Sequence, residues 1–302
     1  MSEKTVMEKK CQLYEAIDHM AEQLTEMADF IFDHPETDGN EVQAAALLTD
    51  VLKKNGFTVE TGCGGLKTAF RGVYQNRPQN AGKGRIPRIG ILCEYDALEN
   101  LGHGCGHHMQ GPSCLGAALA VKEVLTSVPY DLVVYGTPAE ETFGGKINML
   151  KAGCFQDIDV ALMMHGAPDT CTDKKCLALS TYHVEFFGKK AHAAIAPEQG
   201  RSAFDALLLA FQGVEFLREH VRDDVRLHYT VKELPGPENV VPGYAVGKFA
   251  LRSFSRDYLD SLKDRFYNII NGAAMMSGVE AKITETQSLD NKVPVFALND
   301  LV

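Results

Sequence analysis

Six side chains of chemically capable types stand close behind apolar runs in this 302-residue chain: Asp96, Cys105, His107, Glu140, Glu141 and His165. Cys105-Gly-His107 sets a thiolate and an imidazole two residues apart on a Gly-rich loop, GHGCGHH, a pairing that suits a borderline divalent ion such as zinc. A buried cysteine beside a hydrogen-bonded histidine would read the same in isolation. Asp96 is placed to orient an imidazole from behind. Adjacent carboxylates such as Glu140-Glu141 repel unless a cation neutralises one of them. That suggests a division of labour, with one carboxylate as ligand and the other as general base toward a metal-bound water. His165 alone would be unremarkable; its interest is that it also ends an apolar run.

The elements that must hold these residues alternate. The run Arg88 to Cys93 reads as a buried strand, followed by the polar loop EYDALENLGHGCGHH and a helix from about Pro112 to Thr126. Asp131–Tyr135 is a second strand, leading to GTPAEE and a helix from Gly145 to Gly153, and Asp159–Met164 is a third strand, ending at His165. Strand–helix alternation of this kind predicts an α/β fold with a mainly parallel sheet, whose strand ends share one edge. Upstream, helical spacing predicts one helix over Lys9–Phe32 and another over Glu41–Lys54, stopped at Asn55-Gly56, then strands near 58–60 and 67–74.

The pattern changes after Pro168. Strand 177–187, helix 202–220, strand 225–234, strand 244–254, helix 256–276 and strand 280–287 follow in the order β-α-β-β-α-β, which predicts a compact ferredoxin-like α+β module. The expected organisation is therefore a metal-binding α/β unit over 1–176 and a compact module over 177–288, with 289–302 only beginning a new element.

Bulk properties narrow the class. Hydrophobic residues make up 45% and charged residues 23%, as in an ordinary globular protein. A formal net charge of -10 argues against nucleic acid or an anionic membrane as partner. The basic run Arg77–Arg88 is rich in Gly, Pro and Asn and reads as a solvated loop. Eight dispersed cysteines, a polar N-terminus and the lack of a bilayer-length apolar run lead to an expectation of a reducing, cytoplasmic setting. H-E-x-x-H, G-x-S-x-G and Walker A motifs are missing, and GHGCGH does not fit G-x-G-x-x-G.

The segments HPETDGNE (34–41), EYDAL (94–98), GHGCGHH (102–108), GTPAEE (136–141), MMHGAP (163–168), GKKAHAA (188–194) and ENVVPGYA (238–245) carry a resemblance to a known family. The chain resembles the dinuclear metallopeptidases related to aminoacylase and bacterial glutamate carboxypeptidase. Within these it is most similar to the amidohydrolase branch of indole-acetyl-amino-acid, hippurate and aminobenzoyl-glutamate hydrolases. The resemblance implies two divalent metal ions, zinc or manganese. It implies that Cys105 bridges them, that His107 and His165 complete one and Glu141 binds the other, and that Glu140 is the general base. It also implies that 1–176 is the first part of a catalytic domain, 177–288 a lid or dimerisation domain and 289–302 the start of a return to the catalytic domain. It implies further that His192, from the lid, reaches a partner subunit's site to stabilise the oxyanion, that Asn239 and Arg252 hold the substrate carboxylate, and that the lid forms a homodimer. The expected activity is hydrolysis of the amide bond of N-acyl amino acids or small dipeptide-like substrates. One departure accompanies this. The family supplies a last histidine ligand after the lid, whereas no histidine follows His228 here. The alternative expectation is a catalytically incomplete homologue that binds a ligand or serves as a dimerisation partner.

Overall fold

The computed structural model describes residues 3–79, 84–172, 174–233 and 236–301; the middle of the basic run (80–83) and Leu234, assigned above to a strand end, lie outside them. Two units divide the chain, Met1–Asp169 and Thr170–Val302.

In the first unit, α1 (Glu3–His19) and α2 (Ala21–Asp33) replace the single helix predicted over Lys9–Phe32. The break falls at Met20, and both halves pack on α4 (His107–Val124), which one straight rod would not do. Gly116 of α4 permits that approach, since a Cβ there would lie 2.7 Å from Leu24 Cδ1. α3 (Val42–Lys54) stops at Asn55 as its sequence requires. The Glu36 carboxylate accepts the N–H groups of Gln43 and Ala44 at the start of α3. The Glu36 carbonyl accepts the Ala97 N–H at 2.8 Å. HPETDGNE is thus a clamp that pins EYDAL to α3.

The sheet runs β1-β2-β4-β3-β5, built from β1 (Thr58–Thr61), β2 (Phe70–Asn76), β3 (Arg88–Cys93), β4 (Tyr130–Gly136) and β5 (Val160–Met163). β4, β3 and β5 are parallel, as the alternation predicts, while β1 and β2 add an antiparallel flank. All seven residues of β4 are buried, which explains its unbroken apolar reading. β5 pairs with β3 alone among the described strands, and Leu162, Met163 and Met164 are 43–47% exposed along it.

The helix predicted from Pro112 begins instead at His107, behind Gly106 at φ +80°. Proline favours a first helical turn, which is why the sequence reads that way. Here one and a half turns precede it, and the only helical bond forgone is the one Pro112 would have made to His108. His107 therefore sits on a helix rather than in a loop.

After β4 the first unit adds α5 (Gly145–Lys151). The second unit matches the ferredoxin-like order: β6 (Ala178–Phe187), α6 (Ala203–Arg218), β7 (Arg226–Val231), β8 (Tyr244–Ser253), α7 (Arg256–Ser277) and β9 (Glu280–Leu289), with a short α8 (Phe296–Asn299) after it. All its strand pairs are antiparallel, in the order β7-β8-β6-β9. Tyr182, Phe249, Phe266 and Leu207 lie in the core between the sheet and the two helices. Ser202 and Ser255 cap α6 and α7 by accepting the N–H of Asp205 and Tyr258.

Candidate metal centre

Parallel pairing aligns the ends of the three strands. Cys93 lies opposite Gly136, and Leu92 opposite Met163, so the residues that follow emerge at one edge. Glu94 and Asp96 come from β3, Glu140 and Glu141 from the loop after β4, and His165 from just beyond β5. The first turn of α4 brings His107 between them.

Two donor groups result, Glu94–His107–His165 and His107–Glu140–Glu141, with the ligating atoms of each within 4.8 Å of one another. His107 belongs to both. Its Nδ1 donates to the Asp96 carbonyl at 3.0 Å, leaving the Nε2 lone pair free. His165 Nδ1 likewise donates to the Gly166 carbonyl at 2.8 Å. The two Nε2 atoms then face each other across 3.3 Å, with Glu94 Oε2 at 3.3 Å from one and 4.0 Å from the other. That carboxylate oxygen is buried and makes no hydrogen bond. Two imidazole lone pairs and an unpartnered carboxylate oxygen converging on one point form the donor set of a divalent cation.

Electrostatics point the same way. Burial opposes a charge on His107, but the carboxylates of Asp96 and Glu94 prevail and raise its pKa. Burial, then the charge of Glu94, pushes Glu140 above the usual carboxylate range, with Lys146 pulling the other way. The Cys105 thiol is pushed up to about 11 by its hydrogen bond to Glu141, then by burial and by the charges of Glu141, Glu140 and Asp96. Negative groups are crowded here around two imidazoles, a distribution that a bound cation complements.

The loop bearing the glutamate pair is held by backbone. Ala139 is buried at φ +56°, a strained conformation for a residue with a side chain. Its carbonyl accepts the N–H groups of Gly144 and Gly145. Asp96 Oδ2 accepts the Glu141 N–H at 2.9 Å, tying the β4 loop to the β3 loop.

Of the residues expected from sequence, Asp96, His107, Glu140, Glu141 and His165 come together, with the Cys105 thiol against Glu141 rather than inside either three-residue group. Sequence reasoning assigned no role to Glu94 or Lys146, although Lys146 Nζ pairs with Glu94 Oε1. For Glu94 a signal existed: i, i+2 spacing in Glu94-Tyr-Asp96 puts both carboxylates on one side of an extended chain. Lys146 carried none beyond being a lone lysine after two glycines.

In the second unit, residues 191–193 lie antiparallel to 239–241, with His192 opposite Val240 and the Ala193 N–H donated to the Asn239 carbonyl. His192 Nδ1 accepts the N–H groups of Ala194 and Ile195, at 3.2 and 3.3 Å, so the proton resides on Nε2 and points outward as a donor. Arg252 is not with them. It lies eight residues beyond Tyr244 along β8, roughly 26 Å at the rise of a strand.

The profile of peptidase family M20/M25/M40 matches residues 92–282, which takes in every donor above and most of the second unit. The chain belongs to that family. Among M20 relatives, Xaa-Arg dipeptidase of Mus musculus is 32% identical over 289 residues, covering 93% of this chain and 67% of that protein. A p-aminobenzoyl-glutamate hydrolase chain of Escherichia coli (strain K12) is 35% identical over 286 residues, covering 87% of this chain and 57% of that one. The chain thus spans about three-fifths of the length of the curated relatives it matches. A dinuclear metal-binding M20 peptidase from Bacillus subtilis shares the fold at TM-score 0.71 and 18% identity, covering 94% of this chain and 78% of that one. The resemblance to the amidohydrolase branch is borne out.

Proposed function

We propose that this chain forms the metal centre and lid of an M20 amidohydrolase that cleaves the amide bond of N-acyl amino acids or small dipeptide-like substrates. The observation that carries the reading is the pair of donor groups sharing His107. Two divalent ions, zinc or manganese, fit this donor set and when bound would polarise the scissile carbonyl and acidify water. The single Nε2 lone pair of His107 goes to one ion, so Glu94, His107 and His165 would hold one, and Glu141 and Cys105 would serve the other. Glu140, with its raised affinity for a proton, takes one from the attacking water and delivers it to the leaving amine. Asp96 fixes the tautomer and position of His107.

His192, through Nε2–H, is suited to stabilise an oxyanion, with Asn239 and Arg252 as anchors for the substrate carboxylate. A single small substrate cannot bridge the roughly 26 Å between the two ends of β8. A homodimer joined through the lid, in which one copy supplies His192 and Asn239 and the other Arg252, resolves this. The setting in this reading is cytoplasmic, in keeping with eight unpaired cysteines. No helix among the described residues is long and apolar enough to cross a membrane.

The test is metal analysis of the purified chain, with hydrolysis of a panel of N-acyl amino acids. Two ions per chain are expected. Glu140→Gln should keep both while the rate falls by about 10²–10⁴. Hydrolysis that is unchanged in Cys105→Ala, by a chain holding no divalent metal, would end the proposal.

A further inference from the structure

Glu94 is fixed from both ends. Its backbone N–H donates to Gln110 Oε1 at 3.2 Å, while Gln110 Nε2 donates to the carbonyl of Met164, the residue before His165. Gln110 is buried on α4, three residues beyond His107. One amide therefore ties the ends of β3 and β5 to the helix that carries His107, and the Glu94 backbone has little freedom to retreat from the imidazoles. The side chain, 1% exposed, divides its two oxygens. Oε2 faces His107 and His165 without a hydrogen bond, and Oε1 is taken by the Lys146 ammonium.

Lys146 reaches that oxygen from the first turn of α5. The glycines just before it are bound to the Ala139 carbonyl, so the lysine is anchored to the same loop as Glu140 and Glu141. Placing a cation on a buried carboxylate is a poor way to stabilise a fold, because desolvation offsets much of the attraction. Its effect on the carboxylate as a ligand is more telling. A carboxylate can hold a cation through one oxygen or through both. With Oε1 engaged, Glu94 offers one.

We propose that Lys146 is a positioning residue that keeps Glu94 a one-oxygen ligand, lowering the affinity of the Glu94–His107–His165 group for its ion and leaving that ion a coordination position open. The inference rests on the amidohydrolase reading and deepens it. Losing the ammonium removes a positive charge that faces the ion and releases Oε1 to join Oε2. Both changes tighten the grip on a cation. The second also fills a position that a hydrolytic centre must leave to its reactants. Lysine suits this task where arginine does not: an ammonium is a point charge that can rest on one oxygen, whereas a guanidinium fork engages both.

Cobalt(II) titration of the metal-free full chain, in competition with a chromophoric chelator, reads affinity and visible absorption without turnover. Lys146→Met should tighten one of the two ions by at least about tenfold. Its d–d absorption should weaken, since these bands lose intensity as coordination number rises. Lys146→Arg should bind that ion more weakly than the wild type. In a Glu94→Gln background, Lys146→Met should alter neither affinity nor spectrum. The arginine variant keeps the buried site charge-balanced, and so decides the matter even where the methionine variant fails to fold. Wild-type affinity and spectrum in Lys146→Met, binding by Lys146→Arg as tight as the wild type's, or the same gain in the Glu94→Gln background overturns the role of Lys146 and leaves the amidohydrolase reading intact. A wild-type chain that takes up no divalent ion ends that reading, and this role with it.

Discussion

Divalent metal should raise the melting temperature of the first unit through the donors at its strand ends. An ion that binds only the folded chain contributes RT ln(1 + [M]/Kd), about 2.7 kcal/mol at one hundred times Kd. For a body of roughly 150–250 residues, 1 kcal/mol moves the midpoint by about 2–4 °C. The unit Met1–Asp169 is in that size range, so each ion should add about 5–11 °C. His107 Nε2 carries one lone pair and ligates one ion, so His107→Ala should lose one increment. His165→Ala and Glu141→Ala each touch one group and should lose one increment. Scanning calorimetry with zinc or manganese against chelator reads this directly. Loss of the buried His107 ring lowers the metal-free midpoint by itself, so the quantity to compare is the metal-induced increment within each variant. The donor groups lie wholly in the first unit, so the transition of the second should stay in place. A metal-insensitive midpoint in the wild type, or a metal-induced rise in His107→Ala as large as in the wild type, refutes the reasoning.

Three further outcomes follow from particular contacts. A Cβ on Gly145 would fall 2.0 Å from the Pro138 carbonyl oxygen, so Gly145→Ala must displace the loop carrying Glu140 and Glu141; metal affinity in a competition titration should drop while the second unit's melting is unchanged. Phe266 is fully buried, with ring centroids 4.9 Å from Tyr182 and 5.2 Å from Phe249, and Phe266→Ala should destabilise the second unit by about 3–5 kcal/mol in urea titration. The Asp224 carboxyl is held below its ordinary pKa by the Phe254 N–H and then by the Ser253 hydroxyl. Its contribution is therefore present above about pH 4 and lost as pH falls through the folded value; the urea midpoint should fall less between pH 5.5 and 3 in Asp224→Asn than in the wild type.

Much of this was legible in the chain because periodicity and strand ends carry it. The three parallel strands showed as apolar runs, and the polar residues after each could only emerge at one edge. The β-α-β-β-α-β order of the second unit followed from alternation alone. What escaped notice depended on tertiary contacts. Pro112 signals a helix start, yet α4 begins at His107 because Gly106 can turn the chain there at positive φ. Met20 breaks a continuous amphipathic pattern because two helices must follow α4. Glu94 is one of several metal-capable side chains in the loop after its strand, and only the folded chain shows its free oxygen aimed at two imidazoles. The separation of Arg252 from His192 is invisible in a linear motif and follows from the strand between them.

Among the described strands β5 has a neighbour on one side only, with a consequence for binding as well as for packing. A strand edge with exposed Leu162, Met163 and Met164 is a template for another strand. Any segment that docks along it stiffens the backbone leading into His165, one of the three donors around Glu94. A strand whose docking favours the ion-binding placement of His165 would tighten the metal, and the metal would then tighten that strand by the same factor.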